Sequence, residues 1–418
     1  MRKKTLSKMG AILLLASVCF TQGCGMQKET VSEYDSSKGM SVEEMIQEKL
    51  NATDSTGETD VETDVPSEDI DKRVEEILGQ MTLEEKVYQM FVVTPEALTG
   101  YDEVTESTDI TKGKLREYPV GGLIYFAKNL VDVQQTKRML NNTTASALEL
   151  QGVPIFLCVD EEGGRVVRVA NNKKFSVQNV GAMQDISSKE EAYAAGETIG
   201  EYLSDLGFNV NFAPDADVIT NENNTAIGDR SFGTDASLVS EYAIAYSDGL
   251  HSQDILSTFK HFPGHGATEG DTHDGFAYTE KTYEELMQSE LVPFTKAQEA
   301  GVDMVMVAHI SVPNVTGDNT PCTLSYKMIT EILRGDLGYD GLVITDGMNM
   351  GAITEKYSSK EATVKAISAG VDLVLMPEDF HSAVEGVLEA VEQGEITEDR
   401  INESVRRILK TKLLMQSE

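Results

Sequence analysis

The chain contains the run Met304-Val305-Met306-Val307-Ala308-His309-Ile310, which is apolar at every position except the histidine near its end. A strand with one face in water would alternate between apolar and polar residues. A continuous apolar run of this length instead indicates a strand buried on both faces, as in a parallel sheet. The run therefore predicts a buried parallel strand with a polar side chain at its carboxyl end.

Seven further apolar runs of strand length recur along the chain, most of them separated by stretches with helical spacing. The runs lie at 88–94, 121–126, 155–160, 208–214, 257–262, 342–346 and 373–376, and clear helical patterns lie at 189–206, 238–251, 283–300, 381–393 and 398–414. Eight such units predict an α/β fold, a single (β/α)8 barrel of the TIM type. A doubly wound open sheet is the alternative, but no G-x-G-x-x-G motif follows the first run to support a dinucleotide fold.

The amino-terminal region predicts export. Four basic residues between positions 2 and 8 precede an apolar stretch, 10–20, that is too short to span a bilayer. The small residue Gly23 then precedes Cys24, a pattern that resembles a lipoprotein signal, although Thr21 stands where Leu is usual. We expect a signal peptide over 1–23 and a lipid on Cys24 that anchors the protein to the outer face of the cell membrane. An ordinary cleaved signal peptide, with simple secretion, is the alternative.

Composition divides the remaining chain into a tether and a folded domain. Residues 24–70 are rich in Ser, Thr, Asp and Glu and poor in apolar residues, so we expect an acidic flexible tether. The catalytic domain is predicted over 71–418, with first helices at 71–80 and 83–89. Thr82 and Glu85 have the spacing of a capping box for the second of these helices.

Charge and cysteine content exclude several classes of protein. The 418 residues carry a formal net charge of −35, whereas nucleic-acid binding needs a basic surface. The four cysteines show neither a disulfide framework nor the spacing of a metal site. We therefore expect no nucleic-acid partner, no metal and no cofactor.

Polar side chains stand at the ends of four predicted strands. They are Asp160, Lys260 with His261, His309 and Asp346. In a TIM-type barrel the carboxyl ends of the strands form one face, and function gathers there. Burying this many polar groups by chance would be costly, so their recurrence predicts a functional site. The role of His309 stays open between lining the pocket and supporting it from below.

A loop rich in glycine and histidine follows the fifth predicted strand. It reads Lys260-His261-Phe262-Pro263-Gly264-His265-Gly266 and leads to Asp271-Thr272-His273. The Asp-x-His spacing lets a carboxylate orient an imidazole and support its cationic form, which suits acid–base catalysis. Zinc binding by His261, His265 and His273 is the alternative, but these spacings match no zinc pattern.

Four further motifs accompany the loop just described. They are Asp160-Glu161-Glu162-Gly163-Gly164-Arg165-Val166-Val167-Arg168, Asn211-Phe212-Ala213-Pro214 with Asp217-Val218, Ile227-Gly228-Asp229-Arg230-Ser231-Phe232 and Thr345-Asp346-Gly347-Met348-Asn349-Met350. In this order the motifs resemble glycoside hydrolase family 3, and in particular its bacterial β-N-acetylglucosaminidase branch, over about residues 81–414. Two positions depart from the pattern: Thr272 replaces the usual Ser, and Gly347 replaces a larger residue.

The resemblance implies a reaction and a role for each matching residue. Asp346 takes the place of the nucleophile that forms a covalent glycosyl-enzyme, and His273 with its partner Asp271 takes the place of the acid/base. The positions that bind the terminal sugar in this branch are Asp160, Arg168, Arg230, Lys260 and His261. The implied activity is retaining exo-hydrolysis of terminal β-linked N-acetylglucosamine, with cell-wall saccharides as substrates.

Three other functions remain as alternatives. Phosphorolysis would use phosphate in place of water, and a β-glucosidase of the same family would act on another sugar. The third alternative is a sugar-binding lipoprotein without activity, although such a protein would have no reason to keep both Asp346 and the Asp271–His273 pair. Among the charged residues with structural roles, we expect Arg165 to pair with Glu161 or Glu162.

Overall fold

A ring of eight short parallel strands lies at the centre of the computed structural model, which describes residues 67–268, 272, 275 and 277–416. The predicted signal peptide, Cys24 and nearly all of the tether lie outside the described residues. The strands are β1 (Phe91–Val93), β2 (Gly122–Ile124), β3 (Phe156–Val159), β4 (Val210–Asn211), β5 (Thr258–Phe262), β6 (Met304–Val307), β7 (Leu342–Thr345) and β8 (Val374–Leu375).

Parallel pairing runs around the whole ring. Five strands pair in the order β4-β3-β2-β1-β8 and three in the order β5-β6-β7. Parallel bridges from Val210 to Leu256 and from Asp215 to Lys260 join β4 to β5, and a bridge from Ile344 to Leu373 joins β7 to β8. The ring is therefore closed, which confirms the (β/α)8 barrel and rules out the open sheet.

Helices surround the barrel. The α-helices are α1 (Ser67–Leu78), α2 (Leu83–Gln89), α3 (Pro95–Thr99), α4 (Asp109–Glu117), α5 (Val133–Gln151), α6 (Lys189–Leu206), α7 (Ala236–His251), α8 (Tyr283–Leu286), α9 (Val292–Lys296), α10 (Pro313–Thr316), α11 (Gly351–Thr354), α12 (Ser359–Ala369), α13 (Phe380–Glu392) and α14 (Glu398–Leu414). A π-helix spans Lys327–Asp336, and short 3-10 helices span Ala127–Asn129, Met183–Asp185, Gly228–Arg230, His265–Ala267 and Cys322–Leu324. In the described part of the chain, no helix has the length and apolar character needed to cross a membrane.

The strands occupy the apolar runs that predicted them, and every residue in them is buried. The first strand is shorter than its run because Tyr88 and Gln89 belong to α2. The capping box of α2 is confirmed: Glu85 N–H donates to Thr82 Oγ1 at 3.2 Å, and Thr82 N–H donates to Glu85 Oε2 at 2.8 Å.

One predicted helix is broken into two. The pattern at 283–300 predicted a continuous helix, but the structure has α8 and α9 with turns between them. Pro293 lies in the first turn of α9. Proline has no N–H to donate and its ring clashes with the carbonyl four residues earlier, so a helix from Tyr283 cannot continue through it.

Two glycines bring α6 and α7 into backbone contact. A Cβ at Gly196 would overlap the carbonyl oxygen of Tyr246, and a Cβ at Gly249 would overlap the carbonyl oxygen of Tyr193. The two helices precede and follow β4 along the chain. Gly113 in α4 provides a contrast, because a Cβ there meets nothing within 4 Å.

We expect Gly196→Ala to lower the free energy of unfolding by about 1–3 kcal/mol, because the added methyl forces the helices apart. Gly113→Ala is the matched control and should raise it by up to about 1 kcal/mol, since alanine favours a helix over glycine. Urea unfolding of both variants measures the difference. Equal effects at the two positions would contradict the close approach of α6 and α7.

Candidate active site

The carboxyl ends of the strands bring the predicted polar residues to one face of the barrel. Asp160 follows β3, Lys260 and His261 lie in β5, His309 follows β6 and Asp346 follows β7. The backbone N–H of Asp346 donates to Val307 O at 3.0 Å, which fixes the residue beside β6. The next N–H, of Gly347, donates to Asp346 Oδ1 at 2.7 Å and orients the carboxylate.

Asp160 lies between two cations. Its Oδ1 is 3.2 Å from Lys260 Nζ, and its Oδ2 is 3.4 Å from Arg168 Nη2. The Arg168 guanidinium also lies 5.6 Å from the centre of the Phe126 ring. The structure thus brings together three of the residues that the resemblance assigned to sugar binding.

Glu162 connects this group to Arg230. The carboxylate is 1% exposed and accepts two hydrogen bonds of 2.8 Å from Arg230, one from Nε and one from Nη2. Its Oε1 also lies 2.5 Å from Lys260 Nζ. Burial alone would raise the pKa of the Glu162 carboxyl, but the charges of Arg230 and Lys260 outweigh burial and lower it. We call Asp160, Glu162, Arg168, Arg230 and Lys260 the charged cluster.

The expected pairing of Arg165 with Glu161 or Glu162 is wrong. Arg165 is exposed and its Nε lies 3.0 Å from Asp229 Oδ1. The backbone turns before it at Gly163, whose φ of +100° suits glycine and directs Arg165 away from the barrel. Glu161 instead accepts hydrogen bonds from the backbone N–H groups of residues 168–170 and from the Tyr202 hydroxyl. It thereby holds the segment that carries Arg168.

His261 lies between Asp217 and Arg230. Its Nδ1 is 2.7 Å from Asp217 Oδ2, and its Nε2 is 3.3 Å from Arg230 Nη2. Burial, reinforced by the Arg230 charge, lowers the pKa of His261 to about 4, so the ring is neutral at pH 7. The partners then assign the tautomer: Nδ1–H donates to Asp217, and Nε2 accepts from Arg230.

Two further buried carboxyls, Asp215 and Asp217, were not predicted to belong to the site. Asp215 Oδ1 accepts the Asp217 N–H at 3.0 Å, whereas Oδ2 has no hydrogen-bond partner among the described residues. Burial and the neighbouring Asp217 charge raise the pKa of Asp215 to about 8. The Asp-x-Asp spacing next to Asn211-Phe212-Ala213-Pro214 was the available signal, but it does not reveal that the loop folds under His261.

Asp215, Asp217 and His261 present donor atoms within 4.8 Å of one another, a spacing that would suit a metal ion. Arg230 already supplies a cation there, with Nε 3.5 Å from Asp215 Oδ2 and Nη2 on the His261 ring. The His261–His265 pair of the zinc alternative also fails to converge. The His265 ring nitrogens instead contact the hydroxyls of Thr268 and Thr272, at 2.9 and 3.3 Å.

Asp271 and His273 lie outside the described residues, so their pairing stays a prediction. Thr272, between them in sequence, is described. It is buried, and its carbonyl accepts the N–H of Ala352 at 3.3 Å. Ala352 belongs to α11, which follows Asp346 along the chain. Thr272 is therefore attached to the segment that leaves the Asp346 strand.

His309 supports the site from below. Its Nε2 lies 2.9 Å from the Gly347 carbonyl oxygen and its Nδ1 lies 2.7 Å from Thr323 Oγ1. The ring is buried. Because Gly347 directly follows Asp346, His309 holds the backbone on which Asp346 is mounted.

A family model for the glycosyl hydrolase family 3 N terminal domain matches residues 82–411. The chain belongs to glycoside hydrolase family 3. It is 32% identical over 329 residues to beta-hexosaminidase A of Pseudoalteromonas piscicida, covering 72% of this chain and 55% of the relative. It is also 34% identical over 292 residues to a beta-hexosaminidase of Stenotrophomonas maltophilia, covering 68% of this chain and 84% of that relative.

Among solved structures, the fold is similar to a glycoside hydrolase family 3 beta-N-acetylglucosaminidase from Paenibacillus sp. str. FPU-7. The TM-score is 0.74 at 37% sequence identity, over 80% of this chain and 63% of that chain. The chain therefore spans less than two thirds of the length of two of these three relatives.

Asp215→Asn tests the buried carboxyl of this family 3 barrel. The folded protein keeps the Asp215 proton up to about pH 8, whereas the unfolded chain loses it near pH 4. Between these two pH values the folded state binds one proton more than the unfolded state, so the free energy of unfolding falls as pH rises. Asparagine still accepts the Asp217 N–H and does not ionise. The melting temperature of the variant relative to wild type should therefore rise from pH 5 to pH 8.

Thermal unfolding at one-unit pH intervals measures this difference. The same change at the exposed Asp102 is the control for removing one carboxyl. A variant curve that stays parallel to the wild-type curve from pH 5 to pH 8 would contradict a protonated Asp215.

Proposed function

We propose that this chain is a retaining exo-β-N-acetylglucosaminidase that releases terminal, non-reducing β-linked N-acetylglucosamine, with cell-wall saccharides as substrates. The observation that carries the proposal is the placement of Asp346 on the same barrel face as the charged cluster. The backbone N–H of Asp346 donates to Val307 of β6, and the neighbouring strand β5 carries Lys260 and His261. The hexosaminidase names of the relatives favour this activity over phosphorolysis or β-glucoside hydrolysis.

The charged cluster suits a sugar. Each Asp160 oxygen has one cation beside it, and its remaining lone pairs can accept hydrogen bonds from neighbouring sugar hydroxyls. Lys260 directs two of its three N–H donors to Asp160 and Glu162, which leaves the third for a ligand. The Arg168 side chain is partly exposed, so its guanidinium can also donate to a hydroxyl or an acetamido oxygen.

In the proposed reaction Asp346 attacks the anomeric carbon as the glycosidic bond breaks. His273, supported by Asp271, gives its proton to the departing oxygen. Water then attacks the glycosyl-enzyme and passes a proton to His273, which frees Asp346 and releases the sugar with its original configuration. The Gly347 N–H on Oδ1 holds the Asp346 carboxylate in one orientation for the first step.

We expect Asp346→Ala to lower kcat/KM on 4-nitrophenyl N-acetyl-β-glucosaminide by at least about 10³-fold, because no group remains to form the intermediate. His273→Ala should keep a larger fraction of wild-type activity on the nitrophenyl than on the phenyl glucosaminide, since nitrophenolate departs without protonation. Initial rates with both substrates measure this.

The exposed Asp102→Ala is the control for losing a carboxylate. Proton NMR of the first product formed should show the β-anomer. Equal rates in wild type, Asp346→Ala and His273→Ala would support the binding-protein alternative, and a glycosyl phosphate as the main product in phosphate buffer would support phosphorolysis.

We further propose that the protein is exported and held by a lipid on Cys24, with the acidic segment 24–70 as the tether. The basic residues, the short apolar stretch and Gly23-Cys24 support this. Cys24→Ser should move the protein from the membrane fraction to the soluble or secreted fraction and abolish labelling by a radioactive fatty acid. Labelling of Cys24→Ser at the wild-type level would overturn the lipid assignment.

A further inference from the structure

We propose that Glu162 is the positioning residue of the sugar site, which holds Arg230 and Lys260 in their binding orientation without touching the substrate. The proposal rests on the proposed function, because it takes the charged cluster as the place where the sugar binds.

The Glu162 carboxylate is committed to protein donors. Oε2 accepts from Arg230 Nε, and Oε1 is shared between Arg230 Nη2 and Lys260 Nζ. The side chain is 1% exposed, so it presents almost no surface to a ligand. Glu162 therefore acts through its two cations.

The paired contacts of Glu162 also orient His261. A bidentate carboxylate fixes the plane of a guanidinium. With Nε and Nη2 of Arg230 directed at Glu162, the same Nη2 comes within 3.3 Å of His261 Nε2. One carboxylate thus determines the orientation of three side chains that the resemblance places around the sugar.

Among the described residues, no other carboxylate lies within ion-pair distance of both Arg230 and Lys260. Asp215 is the other acid within ion-pair distance of Arg230, with Oδ2 3.5 Å from Nε, but it is protonated below about pH 8. Lys260 has Asp160 as its other partner, and Asp160 is shared with Arg168. Removing the Glu162 charge leaves Arg230 with Asp215 and Lys260 with Asp160 as its ion-pair partner, and burial disfavours this loss of charge compensation.

The expected consequence is a loss of charge on Lys260. Burial lowers the pKa of Lys260, and the charges of Glu162 and Asp160 more than compensate. Without Glu162 the pKa of Lys260 should fall, and the ammonium should lose its proton at a lower pH than in wild type. The alkaline side of the kcat/KM profile should then move to lower pH, a change that a purely structural role would not cause.

Glu162→Gln tests the proposal, because it keeps the shape of the side chain and removes its charge. We expect kcat/KM on 4-nitrophenyl N-acetyl-β-glucosaminide to fall on the order of 100-fold at pH 7, with the alkaline limb shifted to lower pH. Glu162→Asp keeps the charge on a shorter side chain. It should return the alkaline limb toward the wild-type pH while kcat/KM stays below wild type, and it carries the test if Glu162→Gln does not fold.

Glu161→Gln is the matched control, since Glu161 is an equally buried neighbour that contacts backbone N–H groups and a tyrosine instead of cations. It should lower the melting temperature and leave the alkaline limb in place. A folded Glu162→Gln with kcat/KM within about threefold of wild type and an unmoved alkaline limb would overturn the proposal.

A second measurement separates this proposal from the proposed function. The pKa of the Lys260 amine is followed by ¹⁵N-lysine NMR in wild type and Glu162→Gln, with Lys260→Arg to assign the signal. A lower Lys260 pKa in the variant supports the positioning role even if wild type does not cleave the glucosaminide, and an unchanged pKa overturns it. Absence of cleavage by wild type would sink the proposed function alone.

Discussion

The buried Glu162 carboxylate between Arg230 and Lys260 is the interaction on which the arrangement of the site depends. An ion taken out of water costs several kcal/mol unless partners compensate it, so buried charges must occur in matched sets. Here the signs alternate from Arg168 through Asp160, Lys260 and Glu162 to Arg230. Neutral His261 and the acids beneath it continue the series. Each orientation in the series is set by its neighbours.

The barrel makes such a cluster possible. Parallel strands deliver their carboxyl ends to one face, so groups distant in sequence meet above a common apolar core. Parallel strand packing also fixes the backbone around Asp346. The Asp346 N–H donates to β6, and His309, which follows β6, contacts the Gly347 carbonyl oxygen. The loop after β4 carries Asp215, Asp217 and Arg230, and it lies between β4 and α7, the helix that packs closely on α6 at Gly196 and Gly249. The packing of the barrel strands therefore also determines the geometry of the site.

The sequence predicted features that depend on local composition and missed those that depend on distant partners. Continuous apolar runs located all eight strands, because burial on both faces leaves a direct signature. The break before Pro293 was missed because helical spacing continues across it. Glu162 was missed because its partners lie in the loop after β4 and in β5, and Arg165 was mispaired because the turn at Gly163 reverses its direction. The pairing of Asp271 with His273 stays a prediction.

The distribution of the charged cluster along the chain has a consequence for recombination. Glu162, Arg230 and Lys260 come from three successive strand-and-loop units of the barrel. A chimera that took any one unit from a relative with different charges would bury an unmatched ion, even if every strand still paired correctly. Exchanging one unit can preserve the barrel fold and still disrupt the site. Exchanges that preserve function must carry the segment from Glu162 to Lys260 as a single block.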